Sequence, residues 1–136
     1  MKLVLAYPVS ANRYWRTFAY LAKATRKPSA VTVPSEEAKA YKEECGWRAK
    51  AAGVRSPLTG AIELRFRLVP ASRVCMDLDN ALKVSIDALK GIVFDDDSQV
   101  YKIVAERSDP DPVGGARLEV EILPLVMPTA LEAAAA

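Results

Sequence analysis

Apolar and polar residues alternate most cleanly from Ala61 to Val69, where Ile62, Leu64, Phe66 and Leu68 are separated by Glu63, Arg65 and Arg67. A repeat of two sends successive side chains to opposite faces, so this segment predicts a half-buried strand. The period then changes. From Leu78 to Lys90 the apolar Leu78, Leu82, Ile86 and Leu89 recur at helical spacing, Asp79, Lys83, Asp87 and Lys90 fall on the opposite stripe, and Gly91 ends the run. Asp79 or Asn80 is the expected N-cap of this helix. A second helix is predicted from Ser35 to about Ala52, with Glu36 and Glu37 in its first turn and Gly53 after its last. Further strands are predicted over Lys2 to Tyr7, ended by Pro8, over Gln99 to Glu106, and over Arg117 to Leu123. The last two flank a turn from Asp109 to Gly115 and are close enough to pair as a hairpin. Between Pro8 and Pro34 no period emerges, which predicts a long functional loop with one short strand at Ala30 to Val33.

The order is therefore strand, loop, helix, strand, helix, strand, strand. It predicts an α/β (α+β) fold with one domain over residues 1–128 and a mixed sheet carrying its helices on one face. Residues 129–136, ending in Leu131-Glu132 and a run of alanines, read as an expression-vector remnant rather than part of the fold.

Composition narrows the chemistry. At 136 residues the chain can bury a core without covalent staples. Cys45 and Cys75 lack C-x-x-C spacing, so they suggest buried, inert thiols and a reduced, cytoplasmic setting. The apolar run from Leu3 to Ala6 is too short for a secretion signal, and no run approaches the roughly 20 residues of a membrane span. The chain has no histidine, which excludes Ser-His-Asp triads, His-ligated zinc and a histidine general base. Net charge is only +2, but Arg13, Arg16, Lys23, Arg26 and Lys27 crowd the N-terminal loop among Tyr14, Trp15, Phe18 and Tyr20. That mixture suits phosphate contacts with base or sugar stacking, although such aromatics serve as core or dimer contacts equally often.

Five carboxylates gather around the predicted Leu78–Lys90 helix: Asp77 and Asp79 before it, and Asp95, Asp96 and Asp97 after it. Like charges resist such clustering unless a cation sits among them, so a divalent metal site is the first reading. Asp77 and Asp79, two apart in an extended chain, are expected on the same side, as are Asp95 and Asp97, with Asp96 facing away. The two groups meet only if the chain after Gly91 runs back along the helix. A solvated acidic rim with helix caps is the competing reading, and Lys83 then merely pairs with Asp79 and Asp87.

The string D-L-D-N-x-x-K, formed by Asp77, Leu78, Asp79, Asn80 and Lys83, is followed by Asp87-Ala88-Leu89 and by D-D-x-Q-V as Asp96, Asp97, Gln99 and Val100. Together with Pro8, Ser10, Asn12, Arg13, Tyr14 and Arg16 near the N-terminus, it resembles the RusA family of Holliday junction resolvases. The resemblance runs from Leu3 to about Ile122. It implies catalytic and metal-ligating roles for Asp77, Asp79 and Asp97, and a catalytic lysine at Lys83. Asp96 is the rival for the third carboxylate, because the spacing from Asp87 is one residue shorter than the family's. The family's basic run before D-L-D-N is reduced here to Arg73.

The resemblance thus implies a Mg²⁺-dependent endonuclease, with Mn²⁺ as the alternative ion, that cuts four-way DNA junctions symmetrically in a bacterial or prophage setting. Asn12, Arg13, Arg16, Lys23, Arg26, Lys27 and Arg73 are its expected DNA contacts. Two nicks from a chain with one acidic cluster imply a homodimer, and the Ala61–Val69 strand with the apolar helix faces is the expected interface. Two rivals stand beside this reading: a non-catalytic DNA-binding module with a structural metal, and a metal-dependent phosphohydrolase acting on small nucleotides.

Overall fold

The computed structural model describes residues 1–126, so the 129–136 tail lies outside the described residues. Its elements are β1 (Lys2–Leu5), α1 (Ala11–Tyr14), β2 (Trp15–Leu21), β3 (Pro28–Pro34), α2 (Glu36–Ala51), β4 (Ile62–Val69), α3 (Leu78–Leu89), a single 3-10 turn (Asp97–Gln99), β5 (Val100–Arg107) and β6 (Arg117–Pro124). Four strands form a mixed sheet in the order β1-β6-β4-β5, and β2 pairs with β3 as a separate hairpin. An α+β fold with a mixed sheet is what the pattern of alternation predicted.

Strand β4 is the most buried and lies inside the sheet, parallel to β5 and antiparallel to β6. The predicted β5–β6 hairpin is therefore wrong, because β4 runs between them. The crossover through α3 delivers β5 parallel to β4, and parallel pairing needs such a connection. The Ser108–Ala116 segment then spans two strand spacings, roughly 10 Å, to reach the far side of β4.

Helices α2 and α3 pack on one face of the sheet. On that side Leu3, Leu5, Leu64, Phe66, Leu68, Leu118, Val120 and Ile122 meet Tyr41, Cys45, Ala49, Val84, Ala88 and Leu89 in one core. Burial pushes the Cys45 thiol up to about 11, which makes it inert as expected; Cys75 is only half-buried, and the Arg107 guanidinium donates to its sulfur at 3.3 Å. The opposite face is a lattice of ion pairs. Lys102 and Arg65 both reach Glu63, at 3.0 and 3.1 Å, Arg65 and Lys2 approach Glu121, and Arg67 approaches Glu106. The Lys102 hydrogen bond, with Arg65 beside it, holds the Glu63 carboxyl below its usual range. Thus β4 is paired on both edges, and the apolar helix faces are spent on the core. The helix faces are therefore not the dimer surface expected from the sequence, while β4 keeps only its ion-paired outer face for a partner. Exposed apolar side chains lie instead on the edge strand β5, at Tyr101, Ile103 and Val104, and on β2 at Phe18, Tyr20 and Leu21.

The N-terminal segment departs most from expectation. Residues 15–34 form a two-stranded hairpin rather than a loop with one short strand. Most of its side chains on both faces are exposed, so no apolar alternation betrays it. Pro28 and Pro34 occupy strand ends, where a missing N–H costs little. At the turn Arg26 takes a left-handed φ of 53° and its N–H bonds the Ala22 carbonyl at 2.7 Å.

Candidate active site

Helix α3 begins before the residues expected to cap it. Asp77 occupies the N-cap position with an extended backbone, its carbonyl accepts from Ala81 N–H at 3.1 Å, and its side chain makes no capping bond. Asp79 lies in the first turn of the helix. The two acids therefore do not share an extended strand, as the sequence suggested. Both are exposed to solvent. Asn80 braces the fold instead, for its Oδ1 accepts from Ala11 N–H at 2.7 Å and ties α1 to the head of α3.

The far end of α3 is held by Lys42 on α2, whose ammonium donates to the carbonyls of Asp87, Ala88 and Lys90 at 3.1, 3.4 and 2.6 Å. A cation at a helix C-terminus answers the unpaired carbonyls there. Gly91 then reverses the chain with a φ of 82°. The return brings Asp97 beside α3, next to Ile86 and Lys90 rather than to Asp77 and Asp79.

Asp97, Lys83, Asp87 and Lys90 share an open cleft of about 400 Å³ whose other walls are Trp15, Ile86, Val100 and Ile103. The Lys83 ammonium lies 5.0 Å from the Trp15 ring centroid, a cation–π distance. Trp15 meets Tyr14 edge-on at 4.5 Å, and the buried Tyr14 hydroxyl donates to Asp87 Oδ2 at 2.5 Å. Burial first, and then the Asp87 hydrogen bond and charge, push the Tyr14 phenol well above its usual range.

The neighbouring acids have different environments. Asp96 accepts from Ser98 Oγ at 2.5 Å, pairs with Lys90 at 3.2 Å and caps the 3-10 turn. These contacts, Ser98 foremost, pull its carboxyl down to about 2. Asp95 is exposed in the loop. Asp97 is the acid of this trio that lines the cleft. The structure thus brings Asp97 and Lys83 together but leaves Asp77 and Asp79 at the head of α3, outside the cleft lining. Among the described residues no three His, Cys, Asp or Glu side chains lie close enough to hold one metal ion. Carboxylate oxygens are hard donors of the kind that suits a divalent cation, but here they stand apart rather than as one set.

The expected DNA contacts are all exposed or half-exposed. Asn12 and Arg13 are on α1, Arg16 on β2, Lys23, Arg26 and Lys27 in the hairpin turn, and Arg73 in the connection that leads into Asp77. Arg13 also approaches Glu37 at 3.8 Å. The bracing roles of Asn80 and Lys42 were not read from the sequence, although Asn80 stands inside the D-L-D-N string.

A family model for endodeoxyribonuclease RusA matches residues 7–123, a span that includes the hairpin, α3, the cleft and its acids. The chain belongs to the RusA family. It is accordingly an endodeoxyribonuclease that hydrolyses phosphodiester bonds in Holliday junctions, a bacterial and phage-type activity that normally needs a divalent metal ion. No curated protein matches the chain. Among the described residues no helix is long and apolar enough to cross a membrane.

Proposed function

We propose that this RusA-family chain resolves four-way junctions in the bacterial cytoplasm by symmetric, Mg²⁺-dependent cleavage, with Mn²⁺ able to substitute. The observation that carries the reading is the cleft in which Asp97 faces the same space as Lys83 while Asp96 is engaged elsewhere. Asp77, Asp79 and Asp97 are the carboxylates that would hold the ion, although Asp77 and Asp79 stand outside the cleft that Asp97 lines. Mg²⁺ commonly takes only one or two carboxylates and completes its shell with water and substrate phosphate, so an open set of acids suits it. The chemistry such an ion supplies is Lewis-acid activation of water and neutralisation of charge growing on the phosphate.

Lys83 stabilises the same developing charge or the leaving oxygen. Its place over the Trp15 ring limits its freedom, so the ammonium is pre-oriented toward the cleft. The basic hairpin turn and Arg73 contact the DNA backbone. A homodimer supplies the second site, because a closed two-fold pair matches the symmetry of the junction; the apolar side chains on β5 and β2 are the surfaces open to it.

Cleavage of labelled junctions, duplexes and flaps, with Mg²⁺ and with EDTA, tests the activity. Paired nicks in junctions are expected only with the ion. Equal cutting of all three DNAs, or cutting in EDTA, refutes the proposal. Sedimentation equilibrium at micromolar concentration should give twice the chain mass, and a stable monomer refutes the symmetric mechanism.

A further inference from the structure

Gln99 belongs to the D-D-x-Q-V string, yet neither metal ligation nor phosphate contact explains it. A glutamine amide offers two donors at one end and a two-lone-pair acceptor at the other. Here all four capacities are used. Nε2 donates to the carbonyls of Leu58 and Gly60 at 2.9 and 3.0 Å, while Oε1 accepts from the N–H groups of Asp95 and Asp96 at 2.8 and 3.0 Å. One end grips the segment leading into β4, and the other grips the acidic loop. The gripped segment is itself fixed, since Leu58 N–H bonds the Val93 carbonyl at 2.7 Å.

Asp97 lies between the two points this brace controls. Its backbone is fixed before it by the Asp96 N–H bond and after it by the 3-10 turn that Gln99 closes on the Asp96 carbonyl at 3.1 Å. No hydrogen bond or ion pair among the described residues engages the Asp97 carboxylate itself, so its position depends on the backbone beneath it. We infer that Gln99 is the positioning residue that holds Asp97 in the cleft beside Lys83, an inference that rests on the proposed role of Asp97 in cleavage. Only glutamine meets the requirement. Glutamate turns an acceptor toward two carbonyl oxygens, and asparagine is one methylene too short to reach both segments.

The test compares Gln99→Met, which keeps the volume and loses all four bonds, with Gln99→Glu, which keeps the acceptor half. Amide hydrogen exchange at Asp95 and Asp96 should accelerate in Gln99→Met and stay slow in Gln99→Glu. At saturating junction both variants should lose about 10- to 100-fold in kcat, the scale of a misplaced reacting group. Junction Kd should stay within about threefold, because the hairpin cations are untouched. A Gln99→Met protein whose Asp95 and Asp96 amides exchange quickly while kcat stays at the wild-type value overturns the inference and leaves the nuclease reading intact. A loss confined to Kd overturns it as well. Should Gln99→Met fail to fold, Gln99→Glu carries the same kcat and Kd test. Wild-type protein that leaves junctions uncut overturns the nuclease reading, and this inference with it.

Discussion

Tyr14→Phe removes one oxygen from a ring that is 1% exposed and leaves its packing in place, so it isolates the hydrogen bond to Asp87. A hydrogen bond to a charged group contributes about 1.5–3 kcal/mol. Asp87 is only half-buried, so water can replace the lost donor, and about 1.5–2 kcal/mol is the expected loss. For a chain of this size each kcal/mol moves Tm by roughly 3–5 °C, which gives a fall of about 5–10 °C. Scanning calorimetry and urea melts with an unchanged m-value measure it. A double-mutant cycle with Asp87→Ala should return most of the loss as coupling between the two side chains. The pH dependence has a definite sign: the folded phenol is raised above its ordinary value of 10.0, so the contribution is complete below that pH and declines as pH rises beyond it. A Tm for Tyr14→Phe within a degree of wild type would refute the reasoning that this bond anchors the N-terminal segment to α3.

Asp97→Asn, like Asp77→Asn and Asp79→Asn, should abolish cleavage and leave junction binding intact, while Asp96→Asn should still cut; the reverse pattern in a junction-cleavage gel moves the third carboxylate to Asp96. Asp96→Asn should instead lose stability near neutral pH. The wild-type carboxyl at about 2 lies below its ordinary 3.8, so its contribution is present above pH 3.8 and disappears as pH falls toward 2, where melting curves of the two proteins should converge. Lys83→Ala should cost about 2–4 kcal/mol of transition-state stabilisation in kcat, with little change in Tm because the side chain is exposed. Arg16→Ala should reduce the slope of log Kd against log salt by about one. Arg13→Ala should reduce it less, since Glu37 already neutralises part of that charge, and unchanged slopes in both variants exclude the hairpin root from the DNA backbone.

Helices α2 and α3 and strand β4 were legible because capping residues bound the first and a periodic apolar stripe set against charged residues marks the other two. Ser35 does cap α2, accepting from Ala38 N–H at 3.1 Å. Strand pairing was less legible. Proximity in sequence favoured joining β5 to β6, but burial decides which strand is central, and Ile62, Leu64, Phe66 and Leu68 outcompete the exposed Tyr101, Ile103 and Val104 for that place. The hairpin was illegible for a related reason: a strand pair exposed on both faces has no period to read. The site divided along the same line. Asp77, Asp79, Lys83 and Asp97 became candidates through the family resemblance of the strings that hold them, with Asp96 as a rival, whereas Lys42 and Asn80 act through long-range contacts to backbone groups, which no local pattern encodes.

An isolated two-stranded hairpin is marginally stable in water, so the β2–β3 arm must draw its order from its root. That root is attached at several points. Ser35 N–H bonds the Tyr14 carbonyl at 2.8 Å, Ser35 Oγ donates to the Arg13 carbonyl at 2.5 Å, Asn80 holds Ala11, and Tyr14 reaches Asp87. Two of these anchors are on α3, the helix that carries Lys83, and Trp15 at the start of β2 is the ring beneath the Lys83 ammonium. The arm and the cleft thus share one mechanical support. On the proposed reading, DNA that engages Arg16 and the basic turn orders the arm, and an ordered arm fixes Trp15, which narrows the positions open to Lys83. Binding free energy gained far from the scissile bond is then expressed as orientation at the reacting group, where it lowers the barrier rather than only the Kd. A rigid, fully buried hairpin could not act this way, because its order would not depend on the DNA. On that reading, the exposure that leaves the arm without a sequence period is also what would let it respond to the substrate.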